Sequence, residues 1–252
     1  MRKLITFVCE GETLAATLDD AAGSTGLIIV SGGNEIRSGA HRGMAMLAHR
    51  LADTGTPVFR YDRRGVGDST GDNNGFLAAE PDLIAATAAF RAAAPHVTRL
   101  IGFGNCDAAS TLALFGRSAG IDRIVLANPW VVEPIDDLPP AAAIRARYTT
   151  ALRDPGTWRR VLRGGVNVYN LFRGLWRISR ARPEALTTRV LTALTSWKPN
   201  AAVILARGDA TAIAFAAAAG SAVPTETIHT DSHSFTGPAG AALEAAIRRN
   251  LA

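Results

Sequence analysis

The sequence predicts an α/β domain with an eight-stranded, mostly parallel sheet, helices on both faces of the sheet and a helical cap insertion. Short hydrophobic runs alternate with stretches of helical spacing over most of its 252 residues, 48% of which are hydrophobic. An arginine- and tryptophan-rich stretch, residues 131–197, breaks this alternation and is far longer than a plain connection between strands. We therefore expect a core of residues 1–130 and 198–252, with the cap at 131–197.

The elements follow one another in a consistent order. Two hydrophobic stretches, 4–8 and 14–18, flank Glu10-Gly11-Glu12 and predict a hairpin. Six further apolar runs predict strands that are mostly buried in a parallel sheet. They cover residues 26–30, 57–61, 98–103, 123–127, 202–206 and 225–229. Predicted helices cover residues 41–52, 81–94, 106–115, 210–219 and 239–250.

The junction between the strand at 98–103 and the next helix matches a nucleophile elbow, where a sharp turn raises one side chain above the sheet. Its signature is Gly-x-nucleophile-x-Gly, and Gly104-Asn105-Cys106-Asp107-Ala108 fits it with alanine as the last small residue. Cys106 would lie at a helix N-terminus, where the partial positive charge favours the thiolate. The alternative is an inert buried thiol, because free cysteine is among the most buried residue types.

A cysteine nucleophile needs a base, and the base needs an acid that orients it. In a fold with this elbow the chain order is nucleophile, acid, histidine. Asp209 follows the strand at 202–206, and His233 lies in the loop after the next strand, so both are expected where the carboxyl ends of the strands meet. The sequence therefore predicts a triad of Cys106, His233 and Asp209. Asp231 is the second choice for the acid, and a solvated loop histidine is the alternative for His233.

A pair of glycines after the third strand, in Ser31-Gly32-Gly33-Asn34, would let the backbone approach a ligand closely. We expect the amide of Gly33 or of Asn34 to face the amide of Asp107 across the substrate oxygen and form an oxyanion hole. An ordinary glycine turn is the alternative.

Several segments carry a family resemblance. Residues 61–69, YDRRGVGDS, resemble the loop after the fourth strand of α/β-hydrolases, where Asp-x-Arg-Gly-x-Gly-x-Ser is common. Gly32-Gly33 with residues 37–42, RSGAHR, and residues 104–110, GNCDAAS, are similar to the hydrolases associated with the exosortase A system. Those are bacterial proteins encoded beside exopolysaccharide and protein-sorting machinery.

The resemblance covers essentially the whole chain and implies the α/β-hydrolase fold, with hydrolysis by a Cys-Asp-His triad on a substrate that is not established for the family. The sequence departs from the family pattern at two points. Ala108 stands in place of the usual second glycine of the elbow. The segment Asp231-Ser232-His233 is one residue longer than the Asp-His pair common before the last helix.

The cysteines and histidines argue against a disulfide-rich protein and against a metal-binding protein. The only two cysteines are Cys9 and Cys106, too few for a secreted disulfide framework, although a single bridge between them is an alternative. The five histidines have no metal-ligand spacing, so no metal site is expected, and the predicted triad needs no organic cofactor. Glu10, Glu12 and Asp19 precede any long apolar run, so we expect no signal peptide, no membrane span and a cytoplasmic protein.

Positive charge is concentrated in the predicted cap, where residues 145–189 contain eleven arginines and only two acidic residues. One interpretation is a lid that attracts an anionic substrate or acyl carrier. Others are peripheral contact with the inner membrane face and a merely solvated basic face. No motif supports nucleic-acid binding. Arg37 and His41 are further candidates for contact with a substrate carboxylate or phosphate, or for surface ion pairs.

We therefore expect an acyl hydrolase that cleaves an ester, a thioester or a lactone through a covalent acyl-enzyme. An acyltransferase with the same triad is a close alternative, because another acceptor can take the acyl group in place of water. A protein of another class, which binds an acyl or polysaccharide precursor through the basic cap without catalysis, is the second alternative. The oligomeric state stays open.

Overall fold

The computed structural model describes residues 1–132 and 185–251, so the predicted cap lies outside the described residues from 133 to 184. Eight strands form one sheet in the order β1-β2-β4-β3-β5-β6-β7-β8. The strands are β1 (Arg2–Cys9), β2 (Glu12–Asp19), β3 (Thr25–Val30), β4 (Val58–Tyr61), β5 (Arg99–Asn105), β6 (Arg123–Ala127), β7 (Ala201–Ala206) and β8 (Thr225–Ile228). Strand β2 is antiparallel to both of its neighbours, β1 and β4, and all other pairs are parallel.

Helices cover both faces of the sheet. Those of the described residues are α1 (Gly43–Asp53), α2 (Glu80–Ala93), α3 (Asp107–Phe115), α4 (Ala185–Trp197), α5 (Ala210–Ala219) and α6 (Pro238–Leu251). One apolar core lies between the sheet and α2 to α5, and a second lies between the sheet and α1 with α6. The prediction of an eight-stranded, mostly parallel sheet with helices on both faces is confirmed.

Helix α1 begins later than the sequence predicts, at Gly43 rather than residue 41. His41 and Arg42 both have positive φ, at 50° and 60°. A regular right-handed helix cannot include left-handed residues, so α1 begins only after these two. His41 therefore lies in a short 3₁₀ turn, Ala40–Arg42, that precedes the helix.

Helix α4 leads the chain back to the sheet and packs on α3. Trp197, at its end, is only 1% exposed, and its indole Nε1 donates to the carbonyl of Ala113 at 2.9 Å. The guanidinium of Arg117 lies 4.3 Å from the centre of the indole ring. These contacts fix α4 on the core and deliver the chain to β7.

Candidate active site

Cys106 lies in the turn between β5 and α3, with φ 63° and ψ −127°. This backbone conformation is strained for a residue with a side chain. Small neighbours permit the turn: a Cβ atom on Gly104 would lie 2.8 Å from the carbonyl oxygen of Ala108. The Cys106 amide donates to the Ala127 carbonyl at 3.0 Å, and the Trp130 amide donates to the Cys106 carbonyl at 3.1 Å. The backbone thus has the shape of the predicted elbow, and the thiol is partly exposed.

The structure brings His233 and Asp209 together beside Cys106. The distance from His233 Nδ1 to Asp209 Oδ1 is 2.9 Å. The other carboxylate oxygen, Oδ2, accepts from the amide of Ala212 at 2.9 Å and caps α5. Both oxygens of Asp209 are therefore engaged: Oδ2 fixes the carboxylate to α5, and Oδ1 holds the imidazole in one orientation. His233 is also close enough to Cys106 to interact with it.

Charge at the site favours the imidazolium form of His233. Hydrogen bonding to Asp209 and then to Cys106 raises the pKa of His233 to about 10, against the opposing effect of burial. Burial acts to raise the pKa of Asp209, but hydrogen bonds from His233 and from the amides of Ala212 and Thr211 hold it below its ordinary value. An imidazolium beside a sulfur stabilises the thiolate, the reactive form of cysteine.

The two other candidate side chains near the last strand lie elsewhere. Asp231, the second choice for the acid, is exposed and lies over Gly208, where a Cβ atom would be 1.9 Å from Asp231 Oδ1. His229 Nδ1 lies 3.2 Å from Arg207 Nη1 at the surface. Asp209 is thus the carboxylate that contacts His233.

The predicted oxyanion loop lies against the elbow, but one of its amides has a partner already. The amide of Gly33 donates to Asp107 Oδ1 at 2.7 Å. A Cβ atom on Gly32 would lie 2.7 Å from both Asp107 Oδ1 and the Asn105 carbonyl oxygen, so only glycine fits there. Asn34 is exposed, and its side-chain oxygen accepts from Asn73 Nδ2 at 2.8 Å.

The two weaker substrate-contact candidates have different surroundings. The guanidinium of Arg37 donates to Thr17 and pairs with Asp62 and Asp68, which gives it a role in holding the loop. His41 lines an open surface pocket of about 470 Å³ formed by the start of α1, the His233 loop and the start of α6. Substrate contact by either side chain stays a prediction.

Several residues around the site were not identified from the sequence. Asn128 is fully buried after β6, and its side chain contacts Asn105 and the carbonyl of His233. Burial raises the pKa of Glu35, whose carboxylate is close enough to His233 and Asp107 to feel their charges. Arg63 is buried and donates to the Gly33 carbonyl from beneath the loop. The signal available for Asn128 is an Asn-Pro pair at the end of a predicted strand; we find none for Glu35.

Cys9 and Cys106 are both free thiols, so the alternative of a bridge between them is wrong. Cys9 is buried with its sulfur 3.4 Å from Asp82 Oδ1. Among residues 1–132 and 185–251, no group of three or more acidic, histidine or cysteine side chains could hold a metal ion. No helix within those same ranges is long and apolar enough to cross a membrane.

The sequence matches no protein-family model and no curated protein. Solved structures are similar over nearly the whole chain. A Pyrococcus furiosus esterase is 17% identical with a TM-score of 0.66, over 100% of this chain and 90% of that chain.

Two other solved structures are also similar. A lidless α/β serine hydrolase from Xanthomonas campestris is 15% identical with a TM-score of 0.60, over 99% of this chain and 93% of that chain. A thioesterase domain from the curacin biosynthetic pathway is 13% identical with a TM-score of 0.59, over 98% of this chain and 99% of that chain. Taken with the sheet order and the elbow, these likenesses show that the chain has the α/β-hydrolase fold.

Proposed function

We propose that the protein is an acyl hydrolase that cleaves an ester, a thioester or a lactone with Cys106 as nucleophile, His233 as base and Asp209 as the orienting acid. The observation that carries this proposal is the position of the His233 imidazole, which contacts the Asp209 carboxylate at 2.9 Å and lies close enough to Cys106, on a strained turn, to interact with it. A nucleophile, a base in reach of it and a third group that orients the base are the parts that covalent catalysis needs.

In the proposed reaction the Cys106 thiolate attacks the acyl carbon and forms a C–S bond. The tetrahedral intermediate collapses as His233 gives its proton to the departing alcohol or thiol, which leaves a thioester on Cys106. Water then attacks this thioester while His233 takes its proton, and the tetrahedral intermediate releases the free acid and the thiolate. Atoms and charge balance without any cofactor.

The oxyanion in this scheme would bind to backbone amides of the elbow and the glycine loop. The amide of Asp107, at the start of α3, is the first of these donors. The amide of Asn34 is the second, because the Gly33 amide is used by the Asp107 carboxylate and becomes available only when that carboxylate moves.

The nature of the substrate is a further part of the proposal. The resemblance to the exosortase A system-associated hydrolases favours an acyl substrate connected with exopolysaccharide. The arginine-rich segment at 145–189 favours an anionic substrate or carrier, or contact with an anionic membrane surface. The similar Xanthomonas campestris structure is described as a serine hydrolase, whereas this chain has cysteine at its elbow. A thiolate attacks thioesters and esters alike, so the change of nucleophile keeps the proposed reaction class.

Intact-mass profiling tests the proposal. Wild type, Cys106→Ala and Cys9→Ala would each be mixed with short- and long-chain acyl esters and thioesters. We expect an acyl adduct on Cys106 in wild type and in the Cys9 variant, and turnover that Cys106→Ala abolishes. Products formed with added alcohols or amines distinguish transfer from hydrolysis. Full turnover by Cys106→Ala, or no adduct and no turnover with any acyl donor, would rule out this function.

A further inference from the structure

Asn128 follows β6 and connects three strand ends at the site. Its side chain is completely buried. The carboxamide nitrogen Nδ2 donates to Asn105 Oδ1 at 3.1 Å and to the His233 carbonyl at 3.2 Å. The oxygen Oδ1 accepts from the amide of Ala206 at 2.8 Å. All three contacts reach residues distant in sequence, so they depend on the fold.

Each partner of Asn128 is next to, or part of, the proposed triad. Asn105 immediately precedes Cys106, and Ala206 ends the strand that leads to Asp209. His233 itself supplies the carbonyl. Asn105 Nδ2 also donates to that carbonyl, at 3.0 Å, so two side-chain amides donate hydrogen bonds to the same oxygen. The backbone of the base is thus tied to the strand ends that carry the nucleophile and the acid.

We propose that Asn128 is a positioning residue. Its carboxamide holds the backbone of His233 so that the imidazole lies between Asp209 and Cys106 in the orientation that both contacts need. The proposal rests on the triad proposed above. A base that is displaced by about 1 Å loses much of its effect, because proton transfer needs close and aligned donors and acceptors. The imidazole is partly exposed, so contacts to its own backbone are needed to hold it still.

The hydrogen-bond pattern explains why a carboxamide is required. Position 128 must offer two N–H donors to two oxygens and one acceptor to an N–H. Asparagine supplies this set in one orientation of its amide. An ionised aspartate of the same shape supplies no donor, and its charge would face the oxygens of Asn105 and His233.

A backbone role for Asn128 is the competing explanation, because its φ is 43°. Asparagine is one of the few residues that tolerate left-handed backbone. Glycine adopts the same conformation without strain but has no carboxamide. The variant Asn128→Gly therefore separates the two roles, and Asn128→Asp keeps shape and backbone preference while removing the donors.

The test measures the rate at which iodoacetamide alkylates Cys106 as a function of pH, in a Cys9→Ala background. This rate reports the assistance of the thiol by His233 and needs no knowledge of the substrate. We expect Asn128→Gly and Asn128→Asp to slow alkylation below pH 7 by roughly tenfold or more, and to move the pH profile toward that of His233→Ala. Asn250→Asp is the matched control, since Asn250 is bonded to Arg123 and to Ala246 and has no contact with the site.

Circular dichroism and thermal unfolding show whether the variants fold. An unchanged rate and pH profile in folded Asn128→Gly would overturn the proposal and leave only the backbone role. If Asn128→Gly and Asn128→Asp both fail to fold, Asn128→Ser decides, since it also lacks the carboxamide that donates to Asn105 and to the His233 carbonyl. Slower alkylation in Asn128→Ser supports the proposal, and a wild-type rate overturns it. A lack of acyl adducts with every ester and thioester would instead count against the proposed function alone.

Discussion

The carboxylate of Asp107 accepts a hydrogen bond from the backbone amide of Gly33, with 2.7 Å between Asp107 Oδ1 and Gly33 N. The residue directly after Cys106 thereby accepts from a donor that was predicted to belong to the oxyanion hole. It also places a negative charge beside the site, where Glu35 is a second carboxylate. The charge of Asp107 opposes both a thiolate and an oxyanion, so its removal has a definite expected effect.

We expect Asp107→Asn to alkylate faster with iodoacetamide at Cys106 than wild type, by about threefold, because a nearby negative charge repels the thiolate. Asparagine keeps an oxygen that can accept from Gly33, so the loop retains its contact. The measurement is the alkylation rate near neutral pH at low salt. Asp72→Asn, an equal change of charge at an exposed position, is the control. A slower rate than wild type would contradict this account of Asp107.

The two cysteines are expected to differ in reactivity. Burial, and then a hydrogen bond to Asp82, raises the pKa of Cys9 to about 11, while Cys106 is partly exposed beside His233. Cys106 should therefore react with iodoacetamide at pH 7 roughly tenfold faster than Cys9, or more. Peptide mapping after timed labelling measures both rates in one sample, and His233→Ala should slow only Cys106. Equal, slow labelling at both positions would favour a protein that binds without catalysis.

The choice of acid is tested by paired substitutions. Asp209 contacts His233, whereas Asp231 is exposed and lies over Gly208. We expect Asp209→Asn to lower kcat/KM on an acyl substrate by roughly 100-fold or more, because the imidazole loses its orientation and its charge stabilisation. Asp231→Asn should leave kcat/KM within a factor of about two, since it changes only a surface charge. The reverse order of effects would make Asp231 the acid.

The raised pKa of His233 predicts a dependence of stability on pH. Hydrogen bonds to Asp209 and Cys106 raise this pKa from 6.5 to about 10, so the protonated form stabilises the folded chain. That contribution is complete below about pH 6.5 and is lost as the pH rises through about 10. We expect the difference in the free energy of unfolding between wild type and His233→Gln to be largest near pH 6 and to shrink toward pH 10. Urea denaturation measures it, and a difference that is constant with pH would refute the assignment.

Trp197 is expected to be the main anchor of α4. Its indole is 1% exposed, and its N–H donates to the Ala113 carbonyl. Replacing a buried aromatic side chain by alanine lowers the free energy of unfolding by about 3–5 kcal/mol. Trp197→Phe, which keeps a ring but loses the donor, should cost about 1–2 kcal/mol. Urea denaturation of both variants checks this, and a loss below about 1 kcal/mol for Trp197→Ala would show that α4 is held by other contacts.

The features predicted from the sequence are those that arise from local patterns. The apolar runs predict the strands, and the small residues around Cys106 predict the elbow. The prediction that Asp209 and His233 lie near Cys106 also follows from local reasoning, because parallel strands bring their carboxyl ends to one edge. The structure places all three residues there.

The features that were missed depend on contacts between distant residues. The bond from the Gly33 amide to Asp107 spans 74 residues, and that from Asn128 to the His233 carbonyl spans 105. No pattern within a single strand or helix predicts a contact between residues so far apart in the sequence. The start of α1 was placed too early because apolar spacing does not reveal the positive φ of His41 and Arg42.

The backbone at Cys106, with φ 63° and ψ −127°, is one that glycine adopts most easily. A glycine at this position would keep the turn, the approach of Gly104 to Ala108 and the sheet beneath them. Any side chain there destabilises the folded state, and strain of this kind is typical of positions where a side chain is kept for its function. A protein that served solely as a scaffold for binding would have a simpler and more stable choice in glycine at this turn between β5 and α3.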